Sequence, residues 1–217
     1  MLQGIVFDMD GVLFDTESLY NTSFRLVAKE MHIDEIEKLI RECVGLNHND
    51  MRLHVEANYP SVPFETFMKK SMVIMNGLLE EGIPLKEGTK EILTYLSNTD
   101  LKIGLASSSS FKSIMEHLKQ SGLTSYFRVV IGGDMVTHSK PKPDIYLIAC
   151  KELGIEPQQS IAVEDSINGI KSAYSAGLKA VMIPDLLPPI EEIKPMIYQK
   201  FDSLLDLKQF LIEDFHV

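Results

Sequence analysis

Gly4-Ile5-Val6-Phe7-Asp8-Met9-Asp10-Gly11 is an apolar run of four residues that ends in two carboxylates one residue apart. Four apolar residues suffice for a buried strand and are too few for a helix. Gly11 follows, a residue that takes up backbone geometries others resist. A strand delivering Asp8 and Asp10 to its C-terminal edge sets two negative charges side by side, which is costly unless a cation lies between them. The pattern points to a hard-metal site with one carboxylate left for chemistry. An Asx turn closing the strand is the plainer alternative. An EF-hand loop fits poorly, because it needs three acidic positions at alternate residues before the glycine and a Glu that closes the loop.

Beyond this strand the period changes. From Glu17 to about Glu81 it is helical, with one apolar stripe over Tyr20, Phe24, Val27, Ala28 and Met31 and a second over Ile33, Ile36, Leu39, Ile40 and Cys43. Pro63 opens a third, over Phe64, Phe67, Met68, Met75 and Leu79; the stretch from Leu46 to Asn58 is weaker. After Gly82-Ile83-Pro84 the chain alternates. A helix follows Gly88, with Ile92, Leu93 and Leu96 inward. Strands are read at Lys102 to Ala106, Arg128 to Ile131, Ser160 to Val163 and Ala180 to Ile183. Helices are read around Phe111 to Leu118, from Asp144 to Leu153, from Ser166 to Ala176, and from near Asp202. Apolar strands alternating with helices predict an α/β fold: a Rossmann-like parallel sheet with helices on both faces, residues 1–14 and 84–217. Residues 15–83 form an inserted α-helical cap. Its double linker, next to the acidic residues, is placed to open and close over them.

The 217 residues are 45% apolar, enough for a substantial core, and carry a formal net charge of −10. No long basic run is present, which argues against nucleic-acid and anionic-membrane partners. Cys43 and Cys150 make no disulfide framework and read as buried thiols. With no apolar run of membrane-spanning length and a first strand almost at Met1, the expectation is a soluble cytoplasmic monomer.

Ligands of open parallel sheets bind beyond the carboxyl ends of the strands. The residues there are Asp8 and Asp10 after the first strand and Ser107-Ser108-Ser109-Ser110 after the second. Gly132-Gly133-Asp134 follows the third and Glu164-Asp165-Ser166 the fourth, with His138-Ser139-Lys140-Pro141-Lys142-Pro143-Asp144 between them. Taken singly, the serines could be helix caps, the acids could favour a helix N-terminus, and the lysines could be solvated. Together they make a phosphoryl-transfer site. Asp8 and Asp165 hold Mg²⁺ with a backbone carbonyl near Asp10. Ser107 and the N–H groups opening the next helix cradle phosphate oxygens. Lys140 brings positive charge on the extended backbone that Pro141 imposes.

These residues resemble the motifs of the haloacid dehalogenase superfamily. Asp8-Met9-Asp10-Gly11-Val12-Leu13-Phe14-Asp15-Thr16-Glu17 resembles the first motif, Ser107 the second, Lys140 in Ser-Lys-Pro-Lys-Pro-Asp the third, and Glu164-Asp165-Ser166 the fourth. The helical insertion is similar to the cap of the branch holding β-phosphoglucomutase and many small-metabolite phosphatases. The resemblance implies that Asp8 attacks phosphorus to give an aspartyl phosphate, and that Asp10 is acid to the leaving group and then base for water. Lys140 would pair with Asp8 and the phosphate. Asp165 would bind the metal directly with Glu164 behind it, and Ser107 and Ser108 would meet substrate. An ionised Asp8 would need no deprotonation at neutral pH, and Mg²⁺ would screen its repulsion from the phosphate.

Hydrolysis is favoured over the mutase reaction. The mutase branch usually has a histidine where this chain has Tyr20, and a lysine and an arginine beside a cap-loop glycine. Aligning that glycine with Gly45 leaves Val44 and His48 at those places. Tyr20 and His48 are the cap residues expected to meet a small phosphorylated metabolite. A binding protein without catalysis has no use for Asp8, Asp10, Lys140 and Asp165 together.

Overall fold

The computed structural model describes residues 1–44, 46 and 48–215. The chain divides into two compact units, Met1–Asp15 with Pro84–Val217, and Thr16–Ile83.

The second unit is helical: α1 (Thr16–Glu30), α2 (Ile36–Cys43), α3 (His48–Asn58) and α4 (Phe64–Glu81). The stripes read from the sequence are its core. Phe24, Val27, Leu39, Ile40, Phe64 and Phe67 are buried together, and the Phe24 and Phe67 rings lie 5.1 Å apart. The weak stretch before Asn58 is helical as well. It buries one residue, Val55, which explains why its periodicity was faint.

The first unit is built on six parallel strands in the order β3-β2-β1-β4-β5-β6. They are β1 (Gly4–Phe7), β2 (Lys102–Ala106), β3 (Val129–Ile131), β4 (Ser160–Glu164), β5 (Lys179–Met182) and β6 (Gln199–Lys200). The opening tetrapeptide is central, paired with β2 on one side and β4 on the other. A parallel strand covered on both faces has no solvated side, so all four of its residues are buried. Successive side chains point to opposite faces. Val6, Ala106, Ala162 and Ala180 pack with α7 (Asp144–Leu153) and α8 (Ile167–Ser175), while Ile5, Phe7, Leu105 and Val163 are equally buried. The remaining helices are α5 (Thr89–Leu96), α6 (Phe111–Ser121) and α9 (Leu204–Asp214). Serine side chains cap three helices, Ser110 for α6, Ser166 for α8 and Ser203 for α9, each accepting a backbone N–H three residues on.

Phe111 opens α6 and is 42% exposed, and that helix buries Ile114 and Leu118. The sixth strand was not foreseen. It is two exposed residues at the sheet's edge, with no apolar run to mark it.

Candidate active site

Strand β1 carries Asp8 to its end, where the Asp8 N–H still donates to the Val163 carbonyl at 2.9 Å. The loop after it closes on itself through Gly11 N–H to Phe14 O and Leu13 N–H to Met9 O, both 2.9 Å. Gly11 has φ +79°, and a Cβ there would lie 2.8 Å from Cγ of Asp165. Glycine is therefore required twice, by the backbone and by the close approach of the fourth strand's carboxylate.

Lys140 ties the neighbouring strand ends together. Its ammonium donates to Asp8 Oδ1 at 2.5 Å, Glu164 Oε1 at 2.6 Å and the Ala106 carbonyl at 3.0 Å. The Lys140–Pro141 peptide is cis, where plain extended backbone was expected. Glu164 is fully buried, and its Oε1 also accepts from the Tyr146 hydroxyl at 2.5 Å. Its other oxygen faces Ser166 Oγ at 3.3 Å. Gly169 makes room for this: a Cβ on that residue would overlap the Glu164 carboxylate.

Asp8, Glu164 and Asp165 form one group, with ligand oxygens all within 4.8 Å of one another. Hard carboxylate oxygens suit Mg²⁺, so the donor chemistry fits the metal the sequence implies. Asp8 and Asp165 have oxygens to offer it. Glu164 is committed to Lys140, Tyr146 and Ser166, and its place is behind them. Asp10 stands apart from this group, its Oδ2 accepting from Ser109 Oγ at 3.1 Å.

Burial raises the pKa of Asp8 well above the usual carboxylate range; Lys140 opposes the rise and Glu164 and Asp10 add to it. Asp165 is raised too, by burial and then by Asp8, Glu164 and Asp185. Burial works to lower the Lys140 ammonium, but Asp8 and Glu164 outweigh it and the net shift is upward. In this desolvated acidic cluster a cation beside Asp8, such as the Mg²⁺ expected from the sequence, favours its charged form.

Ser107 is buried and its Oγ accepts from the Ser109 N–H at 3.1 Å, whereas Ser108 is exposed. Tyr20 and His48 belong to the helical unit, the first half-buried with its ring 6.4 Å from Phe24, the second exposed with its ring 5.2 Å from Phe64. Val44 is half-buried in a turn, and Gly45, on which the cap alignment turned, lies outside the described residues.

Three site residues escaped the sequence reading. Ser109 sits two residues past Ser107 in a run of four serines that look alike. Tyr146 reads as helix core. Asp185 lies just after β5, with Oδ1 2.7 Å from Lys86 Nζ. Extending the inspection of strand ends to the fifth strand would have found it.

Comparison with known proteins places the chain in one family. The chain is 32% identical over 181 residues to the phosphorylated carbohydrates phosphatase of Thermotoga maritima, covering 83% of this chain and 84% of that one. It is 26% identical over 188 residues to the β-phosphoglucomutase of Bacillus subtilis, with 83% and 82% covered. The crystal structure of CbbY from Rhodobacter sphaeroides in complex with phosphate superposes with a TM-score of 0.69 at 26% identity, over 95% of this chain and 96% of that one. The family model described as haloacid dehalogenase-like hydrolase matches residues 5–183, from the first residues of β1 to just past β5, and the chain belongs to that family.

Proposed function

We propose that this hydrolase is a Mg²⁺-dependent phosphatase that removes phosphate from a small phosphorylated metabolite, of the sugar-phosphate class, through an aspartyl phosphate on Asp8. The observation that carries the reading is Lys140 Nζ at 2.5 Å from Asp8 and 2.6 Å from Glu164, beside Asp165. One cation and a group of carboxylates converge where a nucleophile would need both charge compensation and a metal.

Asp8 and Asp165 would hold Mg²⁺, which when bound supplies positive charge to the phosphate oxygens and to Asp8. A carboxylate oxygen of Asp8 attacks phosphorus as the ester P–O bond breaks, and Asp10 gives its proton to the departing oxygen. Asp10 then takes a proton from water as that water's oxygen attacks phosphorus, releasing inorganic phosphate and restoring Asp8. Lys140 holds Asp8 in place, and Glu164 with Tyr146 holds Lys140. Ser109, bonded to Asp10, positions the acid–base carboxylate.

The phosphatase reading is favoured over the mutase. The carbohydrate phosphatase of T. maritima is more similar to this chain than the β-phosphoglucomutase of B. subtilis is. A mutase must also bind a second phosphate, and Val44 offers it no charge. The test is product analysis of β-glucose 1-phosphate with Mg²⁺ and catalytic glucose 1,6-bisphosphate. Free phosphate and glucose are expected; glucose 6-phosphate formed faster than free phosphate would overturn the choice. A screen of phosphorylated metabolites for released phosphate then names the substrate.

A further inference from the structure

Asp185 lies three residues beyond the end of β5, on the edge of the sheet that carries the other carboxylates. Its side chain is only 9% exposed, and Lys86 accounts for half of it, through Nζ at 2.7 Å from Oδ1. The other oxygen, Oδ2, is buried with no hydrogen-bond partner among the described residues. That oxygen points to the space beside Gly11. A Cβ built on that glycine would lie 2.8 Å from Asp165 Cγ and 3.3 Å from Asp185 Oδ2, so the two carboxylates converge on one small space that a side chain would fill.

We propose that Asp185, held by Lys86, is a positioning residue of the metal site: its free oxygen takes a hydrogen bond from water on the Mg²⁺ that Asp8 and Asp165 bind. The proposal rests on the metal-dependent reading given above. A structural ion pair would account for Oδ1 and leave Oδ2 unexplained. A carboxylate oxygen buried without a donor carries a desolvation cost that a packed loop has no reason to keep. Mg²⁺ retains several waters, and water polarised by the ion is the donor such an oxygen matches. Asp185 is not in the group whose oxygens lie within 4.8 Å of one another, so its reach to the ion is through water. Lys86 neutralises it, so a further carboxylate can stand here without adding a full unit of repulsion.

The experiment is calorimetric titration of Mg²⁺ into the metal-free full chain, for the wild type, Asp185→Ala, Asp185→Asn and Asp165→Ala. Thermal unfolding in chelator confirms that each variant is folded. Losing a residue that orients a metal's surroundings typically costs about 10–100-fold in affinity, and Asp185→Ala is expected in that range. Asp185→Asn is nearly isosteric and decides the matter if alanine disturbs the loop, with an expected loss of roughly threefold or more. Mg²⁺ affinity within twofold of wild type in the folded Asp185 variants overturns the proposal. Asp165→Ala separates the levels. If it weakens Mg²⁺ while the Asp185 variants do not, only the role of Asp185 is lost. If Asp165→Ala binds Mg²⁺ as the wild type does, the metal reading falls and this proposal with it.

Discussion

Replacing Lys140 by methionine keeps the length of the side chain and removes its charge, and the structure sets the size of the consequence. The Lys140 side chain is 6% exposed, and the two carboxylates it pairs with are 10% and 0% exposed. Removing one partner of such a buried group strands the others, at a cost of about 3–5 kcal/mol. In a chain of this size each kcal/mol moves the melting temperature by roughly 2–4 °C, so the drop should be roughly 6–20 °C. The stranded carboxylates can escape by taking up protons, which raises their pKa in the folded state above that in the unfolded chain. Folding then binds protons, and stability falls as pH rises. The loss from Lys140→Met should accordingly be small near pH 5 and nearly complete near pH 8. Thermal unfolding of both proteins in chelator across that range is the assay, so that no metal substitutes for the lost ammonium. A loss below about 1 kcal/mol at pH 8, or one equal at pH 5 and pH 8, would refute the reasoning.

Asp8→Asn should abolish turnover and leave the melting temperature near wild type or above it, a loss greater than the factor of about 10²–10⁴ typical of an acid–base residue; near wild-type turnover on the best substrate would sink the covalent mechanism. Metal-free wild type should lose stability as pH rises, because burial lifts Asp8 to about 8 and Asp165 to about 9, above their unfolded value of 3.8. That contribution is whole below about pH 4, erodes toward pH 9, and is restored by Mg²⁺; melting curves flat over this range in chelator would contradict it. Asp165→Ala should weaken Mg²⁺ binding yet raise metal-free stability at pH 8, and a melting temperature that falls with the affinity would count against mutual repulsion at this site. Gly169→Ala should destabilise, although alanine ordinarily favours a helix over glycine by about 1 kcal/mol, because its methyl group meets the Glu164 carboxylate. A stabilised variant would show that Glu164 has room to move.

The sheet was legible because parallel strands buried on both faces must be continuously apolar, and Gly4 to Phe7, Lys102 to Ala106 and Ser160 to Val163 are short runs bounded by polar residues. Lys200 failed to announce a strand for the opposite reason: at an exposed edge nothing selects for apolar side chains. The positions of Asp8, Lys140 and Asp165 were legible from their places after strands. What they touch was not. Tyr146 donates to Glu164 from a helix whose period it fits as an ordinary core residue, and no spacing distinguishes a tyrosine with a buried acceptor from one without. Ser109 and Ser107 differ only in where the turn points them. The raised pKa of Asp8 depends on how little water reaches it, which emerges from packing and not from any motif.

The three bonds of Lys140 carry a consequence for the order of events. An alkylammonium has three hydrogens, and here each already has an acceptor: one just past β1, one at the end of β2, one at the end of β4. The lysine has no donor to spare for an arriving phosphate. On the proposed mechanism one bond must be exchanged, and the bond to Asp8 is the one whose acceptor would change its chemistry. An oxygen of Asp8 shared with phosphorus would carry less negative charge, and the phosphoryl oxygens would become the better acceptor. Lys140 would then act as a relay of fixed capacity, redirecting one N–H hydrogen bond from carboxylate to phosphoryl group as charge moves outward and returning it to the carboxylate when phosphate leaves. Its hold on the Ala106 carbonyl and Glu164 keeps it in place throughout.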